Sequence, residues 1–270
     1  MHSIFDIACN FTSDRFDDDL EVVIKRAKRN NITKFGLICS RVGDLTRLLK
    51  IYNDYSDSMY FTIGVHPHHA NEINKNNINE ITDLIAKYSP SAVGETGLDF
   101  FRNFSTYEEQ IYAFEEQIKI AIQFNKPLFL HQRDSHDDFI KIFKKYSSDI
   151  NKAVVHCFTG SQSQLDQYLE LNCFIGVTGW ICDQKRNVEL RKTIKNIPLS
   201  KLMIETDCPY LIPKDLPRKP KNNRNEPSNL NHIAAEISKL MEVDTDEVIK
   251  NTYENSVNFF EAKSSKSVNR

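Results

Sequence analysis

Short apolar runs alternate with longer amphipathic segments along this chain, and the alternation limits the folds open to it. Eight runs rich in Ile, Val and Phe fall at residues 4–9, 34–39, 60–65, 92–95, 128–131, 153–156, 174–178 and 201–205. Segments of helical periodicity follow at 17–30, 44–55, 77–88, 106–125, 135–146, 161–171, 187–196, 229–241 and 244–260. Buried parallel strands covered by helices have this pattern. The sequence predicts an α/β fold, a (β/α)8 TIM-type barrel, with a doubly wound open sheet as the alternative.

Length and charge narrow the possibilities. A chain of 270 residues has the usual size of one α/β barrel, and no Pro- or Ser-rich linker divides the repeat. We expect one domain over residues 1–262 and a polar tail over residues 263–270. Because the formal net charge is only -2, nucleic acid would have to be held by a local basic surface.

The sequence shows no sign of export or membrane insertion. Its N-terminus lacks a basic region followed by an apolar core, and no segment approaches the roughly 18 apolar residues of a membrane span. Six cysteines lie far apart without a C-x-x-C pair, which favours buried reduced thiols over disulfides. We expect a cytoplasmic monomer with no membrane partner.

Titratable side chains collect at the ends of the predicted strands, where a parallel barrel places its catalytic groups. Imidazoles and carboxylates crowded at a barrel mouth are costly unless a cation joins them. Four of these groups are therefore predicted metal ligands: Glu95, His131, His156 and Asp207. His66, which follows the third strand, is predicted to bind substrate or to orient a neighbour.

A mixed carboxylate and imidazole site fits several divalent cations. Imidazole favours Zn, Mn or Fe, whereas carboxylate and water suit Mg and Mn. We expect Mg²⁺, with Mn²⁺ and Zn²⁺ as alternatives. Such an ion acidifies bound water, and Asp207 is the predicted proton acceptor, with Glu95 as the second catalytic carboxylate. Glu205 is expected to face the other side of its strand in a structural role.

Basic and aromatic residues flank the predicted mouth. The proline-rich segment 209–228 contains Lys214, Arg218, Lys219, Lys221 and Arg224. Other strand ends carry Arg102, Arg133, Arg186, Phe100, Phe101 and Trp180. A local basic cluster suits a phosphodiester, and aromatic rings can stack unpaired bases. We predict that Arg133 and Arg224 bind substrate; a solvated cover is the alternative reading of the proline-rich segment.

Ordered motifs along the chain resemble those of the TatD family of metal-dependent deoxyribonucleases. The matching stretches run from about residue 3 to residue 262 and include Gly64-Val65-His66-Pro67-His68, Gly94-Glu95-Thr96-Gly97-Leu98-Asp99, His156-Cys157-Phe158-Thr159-Gly160 and Glu205-Thr206-Asp207-Cys208-Pro209. The resemblance implies a divalent-metal nuclease that trims single-stranded DNA or RNA from the 3′ end, with a role in DNA repair or degradation. It also implies metal binding by Glu95, His131, His156 and Asp207.

One element of the family pattern is missing. Most members begin with a His-x-His pair after the first strand that binds a second metal, and Ala8 and Asn10 stand at those positions here. Asn10 can offer one amide oxygen and Ala8 can offer nothing. The resemblance therefore implies a site dominated by one metal.

Two other functions remain open from the residues alone. The same site would serve a metallohydrolase of small esters, lactones or amides, because a cation activates a carbonyl as well as a phosphoryl group. A binding barrel without turnover is the third reading. The basic rim favours the nuclease, and the complete ligand set favours an enzyme.

Overall fold

The computed structural model describes residues 2–220 and 223–261, which contain an eight-stranded parallel sheet. Its strands, β1 to β8, are Ile4–Cys9, Ile32–Leu37, Met59–Ile63, Ala92–Asp99, Leu128–Arg133, Ala153–Val155, Phe174–Val177 and Leu202–Ile204. They neighbour one another in chain order. A parallel bridge between Cys9 and Cys208 then joins the first strand to the last, so the sheet is a nearly closed barrel.

Helices cover the outside of this barrel. Over the described residues, α1 to α9 are Leu20–Arg29, Leu45–Asp54, Ile78–Tyr88, Tyr107–Gln123, His136–Tyr146, Gln162–Glu170, Val188–Thr193, Leu230–Met241 and Thr245–Phe260. Each turns an apolar face inward; α1, for example, buries Val23, Ile24 and Ala27 and exposes its charged residues. One helix follows each strand and α9 is additional, which confirms the (β/α)8 prediction and excludes the open sheet.

The fourth strand is longer than the alternation predicts. It continues past Glu95 to Asp99 because residues 96–99 pair with residues 130–133 of β5. The two backbones approach closely at Gly97, where a Cβ atom would lie 1.8 Å from the carbonyl oxygen of His131. A glycine is needed at that point. The extension carries Asp99 to the barrel mouth.

The C-terminal helix closes one end of the barrel. Phe259 and Phe260 of α9 pack near the starts of the strands, where the ring of Phe260 lies 5.1 Å from that of Phe5 and the ring of Phe259 lies 6.1 Å from that of Phe174. These rings belong to a buried apolar cluster that fills the barrel. The open end of the barrel is therefore the one at the carboxyl ends of the strands.

Asp6 joins the first strand to the segment after the last. Its carboxylate accepts hydrogen bonds from the backbone N–H of Thr206 at 2.9 Å and from the hydroxyl of the same residue at 2.5 Å. Next to it, the backbone N–H of Asn10 donates to the carbonyl of Cys208 at 2.8 Å. Burial raises the pKa of Asp6 to about 7, although the hydrogen bonds from Thr206 oppose that rise.

The structure bears on the expectations for the cysteines and for membrane spans, and it leaves the expected tail untested. The six cysteines form no disulfide within the described residues, as predicted. In the same part of the chain, none of the helices combines the length and the apolar character that a membrane crossing requires. The predicted tail, residues 263–270, lies outside the described residues, so the domain bounds stay a prediction.

Asp6 should make the stability of the protein depend on pH. The folded state holds the Asp6 proton up to about pH 7, whereas an unfolded carboxyl holds it only to about 3.8, so unfolding releases a proton between these values. We expect the free energy of unfolding to fall as pH rises from about 4 to about 7, by up to about 4 kcal/mol from this group.

Asp6→Asn removes this titration and keeps a side chain of similar shape. Urea unfolding at several pH values should show that the free energy of unfolding of the variant rises relative to that of the wild type between pH 4 and 7. Asp18→Asn, at an exposed position, is the control and should follow the wild-type profile. Parallel profiles for wild type and Asp6→Asn would contradict the assignment.

Candidate active site

A pocket of about 1220 Å³ opens at the carboxyl ends of the strands. Its floor and walls include all four predicted metal ligands, together with His66 and Asn10. Glu95 and His131 lie within β4 and β5, and His156 and Asp207 follow β6 and β8, so the barrel brings all four to one place. The structure thus brings together the residues that the strand-end pattern singled out.

The carboxylate of Glu95 lies at the centre of this group. Its Oε1 is 2.9 Å from Nε2 of His156, 3.0 Å from Nδ1 of His131 and 3.5 Å from Nε2 of His66. Burial alone would raise the pKa of Glu95, but the neighbouring imidazoles lower it well below its usual range. Glu95 is therefore an ionised carboxylate.

His131 and His156 each lie between Glu95 and a second carboxylate. Nε2 of His131 is 3.3 Å from Oδ2 of Asp99, and Nδ1 of His156 is 3.3 Å from Oε2 of Glu205. Burial would lower both imidazole pKa values, yet the carboxylates raise the pKa of His131 and raise that of His156 well above normal. A metal-binding histidine has this arrangement, in which an outer carboxylate fixes the ring while the inner nitrogen faces the ion.

The imidazole of His66 is held differently. Its Nδ1 accepts a hydrogen bond from the backbone N–H of His68 at 3.0 Å, which places the ring proton on Nε2. Burial lowers the pKa of His66 well below its usual value, so the ring is neutral. Ligand atoms of His66, Glu95 and His131 do lie within 4.8 Å of one another. The protonated Nε2, which lies 3.5 Å from Glu95 Oε1, nevertheless makes His66 a hydrogen-bond donor and not a metal ligand, so its role in substrate binding or in orienting Glu95 stays a prediction.

Asp207 lies on the other side of the pocket, next to Asn10. Its backbone has a φ of 53°, and its Oδ1 accepts a hydrogen bond from Nδ2 of Asn10 at 2.8 Å. Burial raises the pKa of Asp207 to about 7, against the lowering effect of His156. The amide nitrogen of Asn10, not its oxygen, faces the acid, so Asn10 holds Asp207 in place. Ala8 is buried in the apolar interior of the barrel.

Two carboxylates of the site were not predicted from the sequence. Asp99 was not predicted because its strand was expected to end at Glu95. Its carboxylate also contacts Nε2 of His68 at 2.9 Å. Glu205 was expected to face away, and that expectation is wrong. Its Oε1 accepts the backbone N–H of Cys157 at 2.6 Å, and its other oxygen reaches His156. Gly176 provides the space, because a Cβ there would lie 2.7 Å from Glu205 Oε1.

This donor set fits a divalent cation. Oε1 of Glu95 contacts a ring nitrogen of both His131 and His156, the two rings are oriented by outer carboxylates, and Asp207 lines the same pocket. Carboxylate and imidazole together do not select one metal.

The pocket rim carries aromatic and basic side chains. The guanidinium of Arg133 lies 3.9 Å from the ring centroid of Phe101, and that of Arg102 lies 5.5 Å from it. Phe101 and Phe104 are 52% and 66% exposed although both line the pocket. The other rim residues include Arg186, Trp180, Tyr210, Asp137 and Asp138. The positive charge is thus local, and flat apolar surface lies beside it.

The structure places Arg224 elsewhere. It is buried, and its guanidinium donates to both oxygens of Asp19 at 2.7 Å and to Glu226 at 2.9 Å. It does not line the pocket, so it anchors the segment after β8 instead of binding substrate as predicted. Lys214, Arg218 and Lys219 are exposed and are also absent from the lining. Lys221 lies outside the described residues.

Comparisons with known proteins identify the family of this chain. Residues 5–261 match a family model described as TatD related DNase. The chain is 39% identical over 257 residues to a protein named 3′-5′ ssDNA/RNA exonuclease TatD from Edwardsiella piscicida, covering 95% of this chain and 99% of that one. A protein of the same name from Pectobacterium parmentieri is 41% identical over 235 residues, covering 87% and 90%.

Solved structures show the same relationship. A hydrolase of the TatD family from Entamoeba histolytica superposes with a TM-score of 0.87 at 30% identity, covering 96% of this chain and 98% of that one. A phosphotriesterase homology protein from Escherichia coli, at 11% identity and a TM-score of 0.68, covers the same shares and has the fold alone in common. From its barrel, its strand-end carboxylates and imidazoles, and a match over residues 5–261, the chain belongs to the TatD-related DNase family.

Proposed function

We propose that this protein is a divalent-metal-dependent nuclease that removes nucleotides from the 3′ end of single-stranded DNA or RNA. The observation that carries the proposal is Glu95, held between two imidazoles that are themselves fixed by Asp99 and Glu205. Family membership supports nuclease chemistry, and the names of the two bacterial relatives support the polarity and the single-stranded substrate. A role in DNA repair or degradation stays a prediction, as do cytoplasmic location and a monomeric state.

The cation would be held by Glu95, His131 and His156, with Asp207 at its edge. When bound, a divalent ion supplies charge that neutralises the phosphodiester and makes water more acidic. Two carboxylates in the set suit Mg²⁺, which we propose as the ion, with Mn²⁺ and Zn²⁺ as alternatives.

The residues of this chain then have separate tasks. His66 lines the pocket, where its Nε2 proton can be donated to Glu95 or to a phosphoryl oxygen. Asp207 accepts the proton of the attacking water through its Oδ2, which receives no hydrogen bond from the described residues, while Asn10 holds its Oδ1. A base near Phe101 can stack on that ring, and Arg133 beside it can bind the adjoining phosphate.

The rim distinguishes this function from a small-ester hydrolase. A small ester needs neither arginines nor exposed aromatic rings at the mouth of a large pocket, whereas a nucleic-acid strand uses both. To test the proposal, the protein is incubated with oligonucleotides labelled at the 3′ or the 5′ end and, separately, with a panel of esters and lactones, and the products are measured. We expect cleavage that starts at the 3′ end and is abolished by EDTA.

Glu95→Gln should abolish this cleavage and lower metal content, because an amide cannot replace the ionised carboxylate between the imidazoles. Glu254→Gln, at an exposed position on α9, is the matched control. Metal content is measured by mass spectrometry and folding by circular dichroism. Cleavage that survives EDTA or Glu95→Gln, or turnover of esters alone, would overturn the proposed function.

Asp207→Asn separates proton transfer from metal binding. The amide keeps the shape of the side chain and cannot accept the proton, so we expect the rate to fall on the order of 10²–10⁴-fold. Metal and oligonucleotide should still bind, which titration and fluorescence anisotropy would measure. If metal affinity collapses instead, Asp207 is a primary ligand.

Glu205→Gln tests the outer carboxylate of His156. The amide oxygen can still accept the N–H of Cys157, but the amide nitrogen cannot accept a proton from the imidazole. We expect metal affinity to fall about 10–100-fold, with activity recovering at high metal concentration. A loss of activity that excess metal does not restore would show that Glu205 acts in some other way.

The salt dependence of binding shows which basic residues touch the strand. Changing Arg102, Arg133 and Arg186 to Gln should reduce the slope of log K against log salt by about 0.7 for each lost phosphate contact. The matched set Lys214, Arg218 and Lys219, exposed but outside the pocket lining, should leave the slope unchanged. The opposite result would place the strand on the proline-rich segment.

A further inference from the structure

A second group of metal-ligating side chains lies outside the active-site pocket. The thiol of Cys182, a carboxylate oxygen of Asp215 and an imidazole nitrogen of His232 all lie within 4.8 Å of one another. Nε2 of His232 is 2.7 Å from Oδ1 of Asp215. None of the three residues lines the active-site pocket, and neither the proposed nuclease chemistry nor the family motifs use them.

Three separate segments bring these side chains together. Cys182 ends the 3-10 turn Gly179–Cys182 that follows β7, Asp215 belongs to the segment after β8, and His232 lies in the first turn of α8. Cys182 is buried, while the side chains of His232 and Asp215 are 28% and 33% exposed. The thiol thus forms the floor of a small site that opens to solvent between the other two groups.

We propose that Cys182, Asp215 and His232 bind a Zn²⁺ ion, with water as the fourth ligand. Sulfur and imidazole donors suit zinc, and a carboxylate completes a common tetrahedral set. Mg²⁺ and Ca²⁺ take oxygen ligands, so a site with a thiolate and an imidazole selects against them. The cluster is therefore chemically distinct from the sulfur-free donor set around Glu95.

The distances allow this coordination with small movements. Zinc bonds of about 2.0–2.3 Å at tetrahedral angles would separate the ligand atoms by roughly 3.3–3.6 Å. Nε2 of His232 and Oδ1 of Asp215 are 2.7 Å apart, and the ligand atoms of all three residues lie within 4.8 Å of one another. Binding converts the Cys182 thiol to a thiolate, whose proton leaves to solvent, and the neutral His232 ring carries its proton on Nδ1 when Nε2 becomes the ligand.

A zinc ion here would fix one wall of the nuclease pocket. Trp180 precedes Cys182 in the same turn, and Tyr210 and Leu211 precede Asp215; all three line the pocket. The two segments already touch, because a Cβ at Gly179 would lie 2.4 Å from the carbonyl oxygen of Leu211. Bound zinc would tie both segments to α8, which gives the site a structural role.

Co²⁺ is the probe that distinguishes this site from the nuclease centre. Cobalt bound to a thiolate gives a near-ultraviolet charge-transfer band, and the donor set around Glu95 contains no sulfur. We expect the full chain to show this band with Co²⁺ and to lose it when Zn²⁺ is added. Cys182→Ser should abolish the band, and Cys157→Ser, which removes the thiol that lines the nuclease pocket, should retain it.

Asp215→Asn and His232→Gln keep the proposal testable if Cys182→Ser does not fold. Each should weaken Zn²⁺ binding about 100-fold or more in a competition assay, because losing a ligand costs at least as much as losing an outer partner. Lys214→Ala, next to Asp215, should bind zinc like the wild type. The Glu95→Gln variant should retain the site, so its result does not depend on the nuclease proposal. A band that survives Cys182→Ser, or unchanged zinc affinity in both other variants, would overturn the assignment.

Discussion

The negative charge of Glu95, buried at the mouth of the barrel, must be matched by positive charge, and the rest of the site follows from that requirement. An isolated carboxylate in such a place costs several kcal/mol, so it persists only beside protons or a cation. β5 and β6 bring His131 and His156 to it. Each ring then needs its own acceptor on the far side, which Asp99 and Glu205 supply. The layered arrangement is that of a metal centre, with the outer carboxylates setting the direction in which each ring nitrogen points.

The closure of the barrel and the position of Asp207, the proposed proton acceptor, depend on the same few residues. Asp6 on β1 holds the backbone N–H and hydroxyl of Thr206, and Thr206 immediately precedes Asp207. Asn10, just after β1, holds both the carbonyl of Cys208 and the carboxylate of Asp207. Asp6 and Asn10 thus hold the two residues that flank Asp207 in the chain, Thr206 and Cys208. A substitution of Asp6 is expected to change the stability of the protein and, through Thr206, the position of Asp207.

The fold and the inner ligands follow from the sequence because a parallel barrel converts position in the chain into position in space. A residue at the carboxyl end of one strand lies beside those at the ends of its neighbours, so Glu95, His131 and His156 could be placed together without coordinates. Residues whose role depends on a partner far away in the chain could not be placed in this way. Arg224 pairs with Asp19, far away in the chain, and its basic character alone suggested a substrate contact. Glu205 needed the space left by Gly176, which a strand pattern does not reveal.

The replacement of the His-x-His pair changes the charge balance of the pocket. With Ala8 in the apolar interior and the amide nitrogen of Asn10 turned toward Asp207, β1 contributes no imidazole to a second ion. Glu95 and Asp207 together carry two negative charges when both are ionised, which one divalent cation neutralises. A second cation would need ligands that Ala8 and Asn10 do not supply, unless the phosphodiester itself provided them. A single ion is therefore the simpler proposal for this chain, and in that proposal the arginines of the rim and the Nε2 proton of His66 would complete the binding of the phosphate.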